Sequence, residues 1–176
     1  MGFSPKLLIP RYSFFMSDEE LRVTLSQLLR QSRSHAGLHR ALEGFPAALA
    51  GSRVDESLHT AWELVEHLRL AAEDLVSYCN DADYEDLGWP AGYWPETAAP
   101  PSEEAWHESV GKLLNATEAM AVLVEDAEHD LYAQVPSADR SHHHTLRAAL
   151  ILLDHNGYHA GQLIDLRRAL GVWESG

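Results

Sequence analysis

Two histidines four residues apart are the feature of the sequence that most directly suggests chemistry. His155 and His159 belong to a stripe of residues at intervals of three and four, so on a helix their side chains share one face. The other members of the stripe are all apolar: Ala148, Leu152, Leu163, Leu166 and Leu170. Two neutral imidazoles that lose water side by side need polar partners, and a divalent cation satisfies both. The pair alone is a weak signal for a metal site, because such pairs also arise as exposed histidines or as core histidines bonded to carboxylates.

A third ligand is expected from another part of the chain, because catalytic zinc sites typically use three protein ligands and keep one position open. His67 is the candidate, since its neighbours on a helical face are mostly apolar and it can point inward: Leu64, Ala71, Leu75 and Tyr78. Nitrogen ligands favour the later transition metals, zinc or nickel, while iron and manganese also remain open.

Four polar residues are candidates to orient these imidazoles by hydrogen bonds. Glu66 immediately precedes His67, and Glu63 lies one helical turn before it. Asp154 immediately precedes His155, and Gln162 follows His159 by three residues.

The remaining histidines give weaker signals. His35 and His39 have the same spacing of four, but they straddle Gly37, where the first helix is expected to fail. The run His142 to His144 lies at a predicted junction of loop and helix, where consecutive side chains diverge, and we expect it to be exposed. A metal sensor or scavenger built on these histidines would bind several weak ions rather than one tight ion.

Helical signals dominate the rest of the sequence. Ser17 and Glu20 form a capping-box pattern, and Ser102 precedes two glutamates that suit a helix start. Apolar residues at helical spacing predict long helices at about 18–34, 58–79, 102–127 and 144–170, with a short piece at 37–43. No alternating pattern indicates a strand, so the sequence predicts an all-α fold, an antiparallel four-helix bundle.

A long loop is predicted between the second and third of these helices, at 80–101. A loop of this length in a domain is either functional or ordered by its own side chains. It carries four large aromatic residues that could fold back over one end of a bundle: Tyr84, Trp89, Tyr93 and Trp94.

Composition excludes several classes of protein. A formal net charge of −14 gives no electrostatic basis for binding nucleic acid or an anionic membrane. The single cysteine, Cys79, forms no intrachain disulfide, and no apolar run reaches the roughly 18 residues of a membrane span. Residues 1–16 contain Pro5 and Pro10 and lack a small-residue cleavage site. We therefore expect an N-terminal extension outside the fold, no secretory signal and a cytoplasmic location.

Two segments together resemble the DinB-like (damage-inducible, DinB/YfiT-like) superfamily. They are HTAWELVEHLRLAAEDL at 59–75 and LLDHNGYHAGQLIDLRRALGVW at 152–173. The family pattern W/H-[ST]-x-x-E-x-x-x-H-[LI] falls on His59, Thr60, Glu63, His67 and Leu68, and its HxxxH pattern falls on His155 and His159. The resemblance implies a four-helix-bundle domain over 17–173, often dimeric, with these three histidines around one ion.

The resemblance also implies a range of chemistry. Some relatives are transferases or isomerases that use low-molecular-weight thiols, so we expect a small-molecule substrate, such as a thiol, and a homodimer. An ion held by three histidines with open positions can bind and deprotonate a thiol or a water. The alternative is a non-catalytic dimeric helical stress-response or interaction protein with a structural or vestigial metal site.

A di-iron carboxylate bundle is a further alternative. Such bundles use Glu-x-x-His motifs at mid-helix, and Glu56-x-x-His59 and Glu104-x-x-His107 have that spacing. Both motifs lie at predicted helix starts, which argues against this interpretation.

Overall fold

The computed structural model describes residues 17–138 and 142–173, and within them the fold is built from helices. The α-helices are α1 (Asp18–Arg30), α2 (Leu38–Leu42), α3 (Ala61–Asn80), α4 (Glu103–Glu125) and α5 (Thr145–Ala169). Two short 3₁₀ segments lie in the connections, at Ala47–Leu49 and Ala91–Tyr93. No strand occurs in these ranges, where an isolated bridge pairs Gln134 with His144. The prediction of an all-α fold is confirmed for this part of the chain. The predicted extension at 1–16 lies outside it.

The helices begin where side chains can cap their first turns. The Ser17 hydroxyl accepts from the backbone N–H of Glu20 at 3.1 Å, and the Glu20 carboxylate accepts from the Ser17 N–H at 2.9 Å. This reciprocal capping box was predicted. Thr60 and Glu63 form a second one at the start of α3, so α3 begins at Ala61 and not at 58 as the apolar spacing suggested.

The first helix is shorter than predicted. It ends at Arg30 rather than near 34, because Gln31 adopts an extended conformation, with φ −148° and ψ 118°. The residues that follow are mostly polar and end in Ala36-Gly37. Serine side chains compete for the hydrogen bonds of a helical backbone, which favours the end of the helix here. The short helix predicted at 37–43 is present as α2.

The four longer helices pack in a closed cycle. α1 lies against α4, α4 against α3, α3 against α5, and α5 against α1, while α2 packs on α5. Their shared core contains large side chains from every one of these elements, including Leu25, Leu42, Leu68, Trp106, Met120, Leu152 and Leu163. Burial of each such side chain contributes about 1.5–3 kcal/mol. The core thereby fixes α3 and α5, the helices that carry the candidate ligands.

The connection between α3 and α4 folds back onto α3. The hydroxyls of Tyr84 and Tyr93 both donate to the carboxylate of Asp74, at 2.8 and 2.9 Å. Trp94 packs against imidazoles on α3 and just before it. Trp89 differs from the other aromatic residues of this loop, since 76% of its surface is exposed. The loop is therefore ordered by specific side-chain contacts.

None of the helices in the described ranges has the length and apolar character needed to cross a membrane.

Candidate metal centre

Three histidines from two helices meet in one cluster. α3 supplies His67, and α5 supplies His155 and His159. One ligand-capable atom from each residue lies within 4.8 Å of the others. The Nε2 atoms of His67 and His155 are 2.9 Å apart. His67 and His159 are buried and His155 is partly buried. The group could hold a metal ion.

Hydrogen bonds at the far side of two rings fix their tautomers. The Nδ1 atom of His67 lies 2.8 Å from the backbone carbonyl oxygen of Tyr93. The Nδ1 atom of His159 lies 2.6 Å from Oε1 of Gln162. An oxygen of this kind can only accept, so each Nδ1 carries the proton. In the neutral rings the lone pair is therefore on Nε2, the usual arrangement in histidines that bind metal through Nε2.

His155 cannot satisfy both of its ring nitrogens with protein partners. Its Nδ1 atom is buried and has no hydrogen-bond partner among the described residues. A proton on Nε2 would donate to His67 and leave Nδ1 bare. A proton on Nδ1 would leave two Nε2 lone pairs facing each other at 2.9 Å. A cation shared by the Nε2 atoms removes that repulsion, so the donor set fits a metal ion with nitrogen preference.

Burial keeps these imidazoles neutral. Removal from water lowers the pKa of His67, His155 and His159, because the charged form is penalised. The pKa of His155 falls to about 4, through burial and then through the charges of His159 and His67. The lone pairs are therefore available near neutral pH without competition from protons.

An aromatic residue covers one face of His67. The indole of Trp94 stacks on the imidazole with ring centroids 4.0 Å apart and planes inclined by 2°. His59 also stacks on Trp94, with centroids 4.2 Å apart. Sequence reasoning placed Trp94 in a covering loop but gave it no contact with a ligand. It missed the Tyr93 carbonyl altogether, because a backbone acceptor has no residue-type signature.

Of the four residues predicted to orient the imidazoles, Gln162 contacts one. Glu63 instead accepts from the Thr60 N–H at 2.7 Å and from Arg53 at 2.9 Å. Glu66 accepts from Arg69 and from the hydroxyl of Ser109 on α4. Asp154 is exposed on α5. No hydrogen bond in the described ranges joins Glu63, Glu66 or Asp154 to a ligand ring.

The other histidines do not join the cluster. His35 and His39 are exposed, and His35 Nδ1 donates to the carbonyl of Ala36. His142 is exposed as expected, whereas His143 and His144 are partly buried. The Nδ1 atom of His143 lies 2.7 Å from the Tyr78 hydroxyl, and His144 caps α5 by accepting from the Arg147 N–H. The expected exposure of the whole run is therefore wrong for two of its three residues.

The two Glu-x-x-His motifs are also separate from the cluster of three histidines. His59 lies 3.6 Å from a carboxylate oxygen of Glu63, and His107 lies 3.6 Å from one of Glu103. Within 17–138 and 142–173 no carboxylate joins the three histidines as a potential ligand. This arrangement lacks the carboxylates that a di-iron site requires.

Cys79 is expected to be unreactive in the folded protein. It is 2% exposed, and burial raises the pKa of its thiol to about 11. Because the thiolate is the nucleophile, this shift alone lowers the reactive fraction at pH 8 about 100-fold. Alkylation by iodoacetamide, followed by mass spectrometry, should therefore be at least about 100-fold slower in buffer than in urea. Equal rates would contradict the burial.

Comparisons with protein-family models, with curated proteins and with solved structures find no match to this chain. What the chain does must therefore be inferred from the histidine cluster and from the residues around it.

Proposed function

We propose that this chain is a metal-dependent enzyme of the DinB-like superfamily, in which His67, His155 and His159 hold one divalent ion. Zinc or nickel is preferred for this site over iron or manganese. The observation that carries the proposal is the meeting of three imidazoles from two helices. In two of them, a hydrogen bond at Nδ1 leaves the lone pair on Nε2, the nitrogen that faces the cluster.

The arrangement of helices supports the same family. A four-helix bundle of the DinB/YfiT-like type requires four long helices around one core, and α1, α3, α4 and α5 pack in such a cycle. The family pattern also requires the first ligand in the second long helix and the other two in the last. His67 in α3 and the pair in α5 have those positions.

The chemistry proposed is attack by a small thiol, or by water, on an electrophile: the nucleophile gives up its proton to solvent, its sulfur or oxygen bonds to the electrophilic atom, and the leaving group of the electrophile departs with the electron pair of the broken bond. A divalent ion with an open position lowers the pKa of a thiol or water that joins it and so supplies a nucleophile near neutral pH. The chain orients the ligands through Tyr93 and Gln162 and excludes water from one face of His67 with Trp94. Tyr158 is 65% exposed, with its ring centroid 4.9 Å from that of His159, and is available to contact a substrate.

The substrate is proposed to bind on the surface beside His155 and Tyr158. A cavity of about 820 Å³ lies elsewhere, between α1, α2, α4 and α5, and none of the three histidines lines it. Its lining includes Leu29, Leu38, Leu114 and Asn156.

A homodimer belongs to the same proposal. Its basis is the resemblance to the DinB-like superfamily, whose members are often dimeric, and Leu150 and Ile151 on α5, which expose 50% and 38% of their surface, offer apolar area for such a contact. Sedimentation equilibrium should give twice the mass of one chain.

Metal analysis of the purified protein, followed by a screen of small thiols with electrophilic acceptors, tests the proposed function. We expect one zinc or nickel ion per chain, with thiol transfer that stops on chelation and returns when the ion is restored. A bound ion without turnover would favour the non-catalytic alternative. A protein that holds no ion, and whose melting temperature does not respond to Zn²⁺ or Ni²⁺, would overturn the proposal.

A further inference from the structure

Asp74 lies on α3 seven residues after His67, which places both side chains on the same face of the helix, two turns apart. One carboxylate oxygen of Asp74 accepts from the Tyr84 hydroxyl at 2.8 Å and the other from the Tyr93 hydroxyl at 2.9 Å. Asp74 was not a candidate from the sequence.

Tyr93 connects Asp74 to His67. Its hydroxyl donates to Asp74 at 2.9 Å, with Asp86 as a more distant acceptor at 3.4 Å, and its backbone carbonyl oxygen accepts from His67 Nδ1 at 2.8 Å. Seven residues of helix rise about 10 Å, so one tyrosine spans two turns of α3 and is fixed at both ends. Tyr93 is 8% exposed, which leaves its side chain little freedom to move.

We propose that Asp74 is a positioning residue of the metal centre, which acts through Tyr93 to hold the Tyr93 carbonyl against His67 and thereby fixes the tautomer and orientation of that ligand. This inference rests on the proposed metal site, and it adds a residue that touches neither the ion nor a substrate. We call the contacts of Asp74 with Tyr84 and Tyr93 the tyrosine clamp.

A second contact depends on the same clamp. Trp94 follows Tyr93 directly, and its indole stacks on His67 with an interplanar angle of 2°. His67 is therefore held at its Nδ1 edge by one loop residue and on its ring face by the next. Displacement of Tyr93 would disturb both contacts together.

Loss of the clamp is expected to release His67 without removing any ligand. With the carbonyl mobile, the ring can exchange its Nδ1–H tautomer for the Nε2–H tautomer, which cannot bind through Nε2. Loss of a partner that orients a metal ligand typically lowers metal affinity by about 10–100-fold.

Two phenylalanine substitutions on the same carboxylate provide a matched comparison. Tyr93→Phe removes the hydroxyl that ties the His67 contact to Asp74, while Tyr84→Phe removes the other hydroxyl on a residue without contact to His67. We expect affinity for Zn²⁺ to fall about 10-fold in Tyr93→Phe and Asp74→Ala, the lower end of that range because the Tyr93 carbonyl is loosened and not removed, and less than about 3-fold in Tyr84→Phe. Asp74→Asn keeps an acceptor oxygen and should restore part of the loss.

Two spectroscopic measurements separate positioning from a general loss of stability. In the metal-free protein, ¹⁵N chemical shifts of the His67 ring should show the Nδ1–H tautomer in the wild type and in Tyr84→Phe, and a mixture in Tyr93→Phe. In the Co²⁺-substituted protein, the visible absorption spectrum should change only in variants that loosen the clamp. Circular dichroism establishes that each variant is folded.

Unchanged Zn²⁺ affinity and an unchanged His67 tautomer in Tyr93→Phe would overturn the role of the clamp, even where the wild type binds metal tightly. If the wild type binds no metal, the proposed function fails, but the metal-free tautomer measurement still decides whether the clamp orients His67. If Asp74→Ala does not fold, the phenylalanine pair gives the answer alone.

Discussion

Replacement of His155 by alanine is expected to lower the affinity for Zn²⁺ by roughly 100-fold or more. A three-nitrogen site of this kind loses one of its ligands outright, which should cost more than loss of a partner that only orients a ligand. His67 and His159 keep their Nδ1 hydrogen bonds to Tyr93 and Gln162. They remain in place, so the change reports the missing ligand and not a collapsed site. Competition with a chelator of known affinity measures it.

In the metal-free protein, the same substitution should lower the free energy of unfolding by no more than is usual when a partly buried side chain is truncated. It removes the unpartnered Nδ1 of His155 and the contact of two Nε2 atoms at 2.9 Å. Zn²⁺ at about 1,000 times its dissociation constant adds about 4 kcal/mol to the wild type, or roughly 8–16 °C in melting temperature for a chain of this size. The variant should lose most of that gain.

His39→Ala is the matched control. His35 and His39 have the same spacing as the ligand pair, but both are exposed and do not belong to the cluster. We expect Zn²⁺ affinity to change less than about 2-fold. If His39→Ala and His155→Ala weaken binding equally, the ion is held by scattered surface histidines and the metal centre described above does not exist.

The ligands could be predicted from the sequence because helical periodicity carries spatial information. His155 and His159 interrupt an otherwise apolar stripe, and the apolar neighbours of His67 indicate that it faces inward. The structure places all three side chains together. What periodicity cannot give is the partner of each ring. Gln162 was within reach by spacing, but the carbonyl that accepts from His67 belongs to a loop 26 residues further along the chain.

Glu63 shows why helical spacing is a weak guide to which polar residues contact a ligand ring. A carboxylate one turn before a ligand has a spacing that suits orientation of the ligand, but Thr60-x-x-Glu63 is also a capping-box pattern. The apolar spacing extended α3 back to 58 and hid the true start at Ala61. Once the start is known, the Glu63 carboxylate has a nearer partner in the Thr60 N–H. Adjacent polar residues are therefore weak predictors of contact unless the helix boundary is known.

The helices were predictable at their starts and less so at their ends. A serine or threonine cap marks a start with a specific hydrogen bond, as Ser17 and Ser102 do. The end of α1 has no such mark, since polar residues continue past Arg30 and helical spacing can be drawn through them. The helix ends where Gln31 takes an extended conformation, a backbone choice that the helical spacing of the side chains does not reveal.

Replacement of Arg22 by methionine is expected to lower the free energy of unfolding by about 3–5 kcal/mol. Arg22 is 7% exposed on α1. Its guanidinium donates to three backbone carbonyls at and beyond the end of α4, those of Val124, Asp126 and His129, at 2.7–3.0 Å. The last carbonyls of a helix have no partners within it, and methionine fills the space without supplying any donor. Urea denaturation followed by circular dichroism measures the difference.

Arg30→Met is the control for Arg22→Met. It tests whether the loss in free energy of unfolding requires a buried arginine or follows from the loss of any arginine that joins α1 to α4. Arg30 lies two turns further along α1 and pairs with Glu118 and Glu125 of α4. These carboxylates are at the surface, so water replaces the lost contacts and the expected cost is about 1 kcal/mol or less. Equal losses in the two variants would mean that the capped carbonyls of α4 contribute nothing beyond a surface ion pair. A large loss in Arg22→Met alone would identify the buried guanidinium as the tie that holds the end of α4 against α1.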